Sequence, residues 1–295
     1  MDLFQELGER GHEQVSFFHD SDSGLKGLVA IHNTVLGPAL GGCRMWNYEN
    51  ETEALVDVLR LSKGMTYKAA IAGLNLGGGK AVILGDSKTQ KTENLFRSFG
   101  RFVEGLGGRY ITAEDVGTSI KDMEHVRMET NYVTGISQAL GGSGDPSPVT
   151  AYGVFVGIKA SVKERLNRTK LDGLKVSVQG LGHVGMYLCE YLHKEGAELF
   201  VTDIDQSLMG QAVDNFGVTP VEPDGIYEVD VDVYAPCALG ATVNPDTIDK
   251  LKCTIIAGAA NNQLIENNFG GELKKRNILY APDYAINAGG LINVS

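Results

Sequence analysis

KVSVQGLGHVGMYLCEYLHKEGAELFVTD, residues Lys175–Asp203, decides the fold. KVSVQ (175 to 179) reads as a strand, the run Gly180 to Gly185 as a turn opening the helix MYLCEYLHKEG, and ELFVT as a second strand that ends beside Asp203. GxGxxG alone is a weak signal. Here the glycines follow a strand, open a helix and precede an acid at the next strand's end, which is the pattern of a dinucleotide-binding α/β fold. One glycine serves the tight turn, one lets backbone approach a pyrophosphate and one packs the helix, while the helix amides offset phosphate charge. The expected nucleotide contacts are therefore Gly180, Leu181, Gly182, His183, Val184, Gly185 and Met186, with Asp203 accepting from the ribose hydroxyls. A carboxylate there repels a 2′-phosphate, so the cofactor read from the sequence is NAD rather than NADP. Asp205 either shares that role or is solvated, and His183 is a backbone-position residue rather than a catalyst.

Outward from this unit, VDVYAP (231 to 236), TIIAGAAN (254 to 261) and ILYAPD (278 to 283) predict further strands of a doubly wound, Rossmann-type parallel sheet of about five strands. The loops CALGA and AANNQ leave two of them at their carboxyl ends, where a cofactor is expected. Upstream, GGSGDPSPVTAYG is rich in Gly, Ser and Pro and predicts a hinge around 135 to 147. The chain is thus expected to hold two α/β domains, 1–135 and 136–295. Ser147 followed by Pro148 starts a helix with Thr150 in its first turn.

The first half is organised by MTYKAAIAGLNLGGGKAVILGD, residues 65 to 86, which sets Lys68 and Lys80 on either side of a glycine-rich turn. Tyr67, Ala69 and Ile71 alternate like a strand leading in, and Ala81 to Leu84 lead out, so both lysines are expected at strand ends. A phosphate loop would need glycine at 74 and Ser or Thr at 81, where this chain has Leu74 and Ala81. Two solvated lysines beside a turn are the plain alternative. GLKGLVAIHNTVLGPALGGCRM (24 to 45) reads as two strands closing in a second glycine cluster. Asn50 and Glu53 form a capping pair for the following helix. A helix from about Thr92, the strand RYITAED, a helix near Ile120 to Met128 and a short strand YVTG complete an α/β order. Asp115 lies just past the RYITAED strand, as a functional group or as a cap for the next helix.

With 43% hydrophobic and 21% charged residues, 295 residues suffice for two cores. The net charge of -11 disfavours nucleic acid or an anionic membrane as principal partner. The acidic amino terminus lacks the pattern of a secretory signal, and no segment approaches a membrane span. Cys43, Cys189, Cys237 and Cys253 form no CxxC pair, which points to buried thiols in a reducing compartment, the cytoplasm. No histidine forms a metal-ligand pair, so no metal is expected.

LGPALGGCRMW, KGMTYK, AGLNLGGGKAVI, RYITAEDVGT, GLGHVG, APCALGATVN, AGAANNQL and YAPDYAINAGGLINV together resemble the glutamate/leucine/phenylalanine/valine group of amino-acid dehydrogenases across essentially the whole chain. The resemblance implies that Lys68, helped by Gly41 and Gly42, holds the substrate carboxylate, that Lys80 is the catalytic base and that Asp115 shuttles protons to the reacting nitrogen. A dry site with a second ammonium would disfavour the charged form of Lys80. Thr150, Ala238 and Asn262 are implied around nicotinamide or substrate, and Leu40, Ala113, Leu291 and Val294 as the side-chain pocket. An all-apolar pocket leaves a distal carboxylate unpaired, so it disfavours glutamate. Leucine and other branched-chain amino acids fit better, oxidatively deaminated to 2-oxo acids with ammonia and NADH as products. The resemblance also implies a homo-oligomer, an octamer. Family members continue past NAGGLINV with further helices, whereas this sequence stops at Ser295; an incomplete sequence is the simpler reading, and only a biological end there would put Leu291 and Val294 in a loose tail. Two readings compete: a non-catalytic NAD-binding regulatory or assembly subunit, and a valine- or phenylalanine-preferring dehydrogenase.

Overall fold

The structure is a computed structural model that describes residues 3–295. The chain divides into two compact units, one running to Pro146 and including Leu291–Ser295, the other Ser147–Gly290.

In the first unit, α1 (Leu3–Arg10), β1 (Gln14–Asp20), β2 (Leu25–Asn33) and β3 (Ala39–Trp46) precede α2 (Glu51–Ile71), β4 (Gly77–Leu84), α3 (Glu93–Gly105), β5 (Tyr110–Glu114) and α4 (Ile120–Arg127). The sheet is mixed, in the order β1-β2-β4-β3-β5. β1 with β2 and β2 with β4 are antiparallel, whereas β3 is parallel to both β4 and β5. YVTG contributes a single bridge, Thr112 to Val133, rather than a strand. Capping follows the sequence: Asn50 accepts from Glu53 N, Thr92 from Leu95 N and Ser119 from Asp122 N. Ser119, and not Asp115, therefore caps α4.

The strand expected to lead into the glycine turn is also absent. Tyr67, Ala69 and Ile71 are not a strand, because α2 runs through them to Ile71 before Ala72 and the left-handed Gly73 end it. Tyr67 and Ile71 lie four residues apart on the exposed side, whereas Lys68 and Ala69 are buried. The apparent alternation was two faces of a helix. Lys68 accordingly sits in a helix's last turn and Lys80 inside β4.

The three glycines of β4 have separate steric reasons. A Cβ on Gly77 would lie 2.0 Å from Asn33 O, one on Gly78 2.1 Å from Thr66 N, and one on Gly79 2.7 Å from the Tyr110 ring. Gly78 is thus where the α2 backbone presses onto the sheet, with Thr66 two residues before Lys68 and Gly78 two residues before Lys80. Gly78, Lys80 and Val82 alternate onto this face, and Val82 packs in a cluster with Ala54, Leu55, Val58 and Leu59 of α2. The opposite face meets Leu95, Phe96, Phe99 and Val103 of α3 and Met123 and Val126 of α4.

The second unit contains α5 (Ser147–Leu166), β6 (Lys175–Gln179), α6 (His183–Lys194), β7 (Glu198–Thr202), α7 (Gln206–Phe216), β8 (Thr219–Pro220), β9 (Val233–Pro236), β10 (Ile255–Ile256), α8 (Phe269–Lys275), β11 (Leu279–Tyr280) and α9 (Asp283–Ile286). Its six-stranded sheet, β11-β10-β9-β6-β7-β8, is parallel at every pairing. β8 exceeds the expected five strands. Two exposed residues, one a proline, suit only such an edge. Both faces are covered: Val233, Ala235 and Ile255 join the α5 and α6 core, while Tyr234 and Ile256 join Ile226, Val243, Ile248 and Leu273 on the other side. That is a doubly wound sheet. A final helix, α10 (Gly289–Val294), returns the chain end to the first unit, where Leu291 packs with Leu40 and Ala69. Among the described residues no helix is long and apolar enough to cross a membrane.

Candidate active site

Alternation along β3 puts Leu40, Gly42 and Arg44 on the face that carries Lys80. β5 adds Ile111 opposite Leu40 and Ala113 opposite Gly42. Just past β5, the Asp115 carboxylate reaches back over the sheet. Its Oδ2 accepts from Lys80 Nζ at 2.9 Å and from Arg44 Nε at 3.0 Å. Arg44 Nη1 in turn donates to Asp57 Oδ2 at 2.9 Å, and the Tyr48 hydroxyl donates to the same oxygen at 2.7 Å. Gly42 leaves the necessary room, since a Cβ there would lie 2.8 Å from the Asp115 Cβ. Asp115 N donates to Thr118 Oγ1, which donates to Cys43 O, and this fixes the turn that aims the carboxylate.

Burial would raise the Asp115 carboxyl, but Lys80 first and Arg44 second outweigh it and hold the group well below the usual carboxylate range. Burial likewise works against the Arg44 guanidinium, which Asp115 and Asp57 nonetheless hold above its ordinary value. Glu114 goes the other way. Burial, then Asp145 and Asp115, push it up to about 7. Cys43 and Tyr110, fully buried beneath the site, are raised mainly by desolvation, and the Tyr110 hydroxyl donates to Gly41 O at 2.5 Å. The Asp115 carboxylate stands at hydrogen-bond distance from Lys80. Lys68 is buried in the last turn of α2.

Leu40, Leu291 and Val294 share one apolar cluster with Ala69, and Met65, Leu74, Leu76 and Ile111 pack against it. Ala113 stands on the same sheet face outside that cluster. Thr134 Oγ1 donates to Val294 O at 2.9 Å, so this segment is packed and tethered and not a loose tail.

In the second unit the three glycines of the β6–α6 turn differ in what surrounds them. Gly180 has φ 102°, and a Cβ there would lie 2.7 Å from Ala238 Cβ. A Cβ on Gly185 would lie 2.0 Å from Gly180 O, so only glycine lets α6 pack on the turn. At Gly182, which caps α6, a Cβ would meet nothing within 4 Å, so the space beside this backbone is open, as a diphosphate approaching it would require. Leu181 is buried, His183 opens α6 with exposed surface, and Val184 and Met186 pack partly against the core. Asp203 Oδ2 accepts from Leu181 N at 2.6 Å, and Oδ1 from Asp205 N at 2.8 Å. Asp205 caps α7 through Ser207 N. Thr150 occupies the first turn of α5. Asn262 follows β10 with φ 51°, and its carbonyl accepts from Ala241 N. The residues present suit a dinucleotide.

Arg44, Asp57 and Tyr48 were missed from the sequence. The available signal was alternation: Arg44 stands two residues past Gly42 in one strand and must share its face. Nothing in the sequence pairs Asp57 with Arg44.

One unit thus holds a buried carboxylate between two cations, and the other a backbone turn that suits a dinucleotide, a pairing consistent with a dehydrogenase. The model described as Glu/Leu/Phe/Val dehydrogenase, dimerisation domain, matches residues 12–132, and that described as Glutamate/Leucine/Phenylalanine/Valine dehydrogenase matches 141–211 and 201–295. The chain is 58% identical to leucine dehydrogenase of Bacillus subtilis (strain 168) over 295 residues, 100% of this chain and 81% of that protein. It is 51% identical to phenylalanine dehydrogenase of Bacillus thermotolerans, covering 99% of this chain and 78% of that one. The crystal structure of L-tryptophan dehydrogenase from Nostoc punctiforme superposes with TM-score 0.78 at 50% identity, over 99% of this chain and 84% of that chain. The chain belongs to the glutamate/leucine/phenylalanine/valine dehydrogenase family and is an amino-acid dehydrogenase.

Proposed function

We propose that the protein catalyses NAD-dependent oxidative deamination of L-leucine and other branched-chain amino acids, giving 2-oxo acid, ammonia and NADH. The observation that carries the reading is Asp115 bonded to Lys80 on the sheet face that also bears the Leu40, Leu291 and Val294 cluster. Identity to leucine dehydrogenases supports the substrate class. Lys68, with the Gly41 and Gly42 backbone, grips the substrate carboxylate, and Leu40, Ala113, Leu291 and Val294 surround the aliphatic side chain. NAD, when bound, supplies the acceptor for a hydride from the substrate's α-carbon. Gly180 to Met186, Ala238 and Thr150 hold it, and the Asp203 charge excludes a 2′-phosphate. Asp115 takes a proton at the reacting nitrogen. Lys80, in its neutral form, takes a proton from the water that attacks the imino carbon, Asp115 returns its proton to the nitrogen, and ammonia leaves as the hydroxyl loses its proton and the carbonyl forms.

The first unit serves substrate binding, catalysis and oligomer formation, and the second serves NAD. The family model's dimerisation domain supports a homo-oligomer, and an octamer is the assembly the family resemblance implies. Four free cysteines, three of them buried, support a reducing compartment, the cytoplasm. NADH formation with leucine, isoleucine, valine, phenylalanine, tryptophan and glutamate, each with NAD and NADP, tests the proposal. Leucine or another branched-chain substrate should give the highest kcat/KM with NAD. Turnover of aromatic substrates alone would reassign the substrate, and NAD binding without any turnover would leave a non-catalytic subunit.

A further inference from the structure

Arg44 is absent from every role derived above, yet it makes the second bond to the group that receives the proton. Its guanidinium spans two carboxylates on different elements: Nε donates to Asp115 past β5 at 3.0 Å, and Nη1 to Asp57 on α2 at 2.9 Å. Tyr48 closes the far end by donating to Asp57 Oδ2 at 2.7 Å. Donors and acceptors alternate along the series Tyr48, Asp57, Arg44, Asp115, Lys80. The four charges sum to zero. Both cations fall on the same Asp115 oxygen, Oδ2.

We propose that Arg44 is a positioning residue for the amino-acid dehydrogenase reaction: held by Asp57 and Tyr48, it occupies Asp115 Oδ2 together with Lys80 and so leaves Oδ1 to take the proton of the reacting nitrogen. The inference rests on the proton role given to Asp115 above. A lysine could not replace it, because a single ammonium cannot present two fixed N–H directions to two carboxylates 58 positions apart in the chain. Charge-assisted bonds from Arg44 also favour the anionic, proton-accepting form of Asp115. The other titratable groups around Asp115 are Lys80 on β4, Glu114 beside it on β5, and Cys43 and Tyr110 beneath. Of these only Lys80 shares with Arg44 the sign that holds the carboxylate ionised. Glu114, when charged, opposes it.

A purely structural Arg44 would pin β3 to α2 and nothing more, and loss of stability could not tell the two roles apart. The pH profile of kcat for leucine oxidation by the full-length oligomer does. Arg44→Gln removes a cation from beside Asp115 and its partner Lys80, so both groups hold their protons more tightly and the acid limb should move up by about one unit, with kcat at neutral pH down by at least about tenfold and KM for leucine and NAD within about twofold. Arg44→Lys should move the limb part of that distance, and it carries the test if Arg44→Gln does not yield folded protein. Tyr48→Phe removes a bond and no charge, and should lower kcat by about twofold to fivefold with the limb in place. A limb unmoved in both Arg44 variants, whatever happens to their melting temperatures, overturns the role while leaving the activity intact. A wild-type protein that oxidises no amino acid overturns the parent reading and this role with it.

Discussion

The two sites are built in opposite ways. The Asp115 site is a set of side-chain charges drawn from β3, α2, β4 and the turn after β5, with partners 44, 57, 80 and 115 scattered through the sequence. The dinucleotide turn is almost all backbone, and its main parts lie within Gly180 to Asp203. The first exists only after α2 has pressed onto the sheet at Gly78. The second forms wherever one strand–turn–helix–strand unit forms. Charge placed by tertiary packing is sensitive to distant substitutions and to pH, whereas a backbone cradle is sensitive mainly to what stands on its glycines.

The comparison breaks most visibly at Lys80. Lys80→Ala should lower turnover by about a thousandfold, while NAD affinity by calorimetry stays within about twofold; an unaltered rate would remove the base. Glycine substitutions should divide by site. In the first unit, Gly78→Ala drives a Cβ to 2.1 Å from Thr66 N and should cost about 1 to 3 kcal/mol in denaturant unfolding. Gly182→Ala meets nothing within 4 Å and should leave stability nearly unchanged while weakening NAD binding. Equal destabilisation by both would erase the distinction. Next in size is Asp203→Asn, which keeps an acceptor for Leu181 N but drops the charge. Preference for NAD over NADP, as a ratio of kcat/KM, should narrow by about tenfold, or about 1.4 kcal/mol.

The smallest effect concerns acid. His12 is pushed down to about 4, by burial first and then by His32, which burial also lowers. The unfolded chain therefore binds protons that the folded one refuses. The stability contribution is full above about pH 6.5 and is lost as pH falls toward about 4, by an amount on the order of 1 kcal/mol given the half-exposed ring. Unfolding free energies at pH 8, 6 and 5 check it, and His12→Gln should flatten the slope.

Local signals in the sequence carried the second unit well. KVSVQ, the glycine turn, ELFVT and Asp203 fall where the structure places β6, the α6 cap, β7 and the acid, because each is set by neighbours within a few residues. β8 escaped notice because two residues carry no alternation. In the first unit the caps of α2, α3 and α4 were legible for the same reason. Tyr67 to Ile71 misled, since period two over five residues also fits exposed and buried faces of a helix, and only packing against β4 decides between them.

Residue chemistry and spacing by themselves determined an α/β protein of two domains, a dinucleotide turn and the presence of Lys80 and Asp115. Tertiary structure alone decided that Lys80 meets a carboxylate, that Arg44, Asp57 and Tyr48 stand behind it, and that Leu291 and Val294 belong to the first unit. Hydrogen bonds between neighbours are written into a short stretch of chain. An ion pair across 35 positions, or an apolar contact from Leu291 to Leu40, depends on where whole elements come to rest against one another.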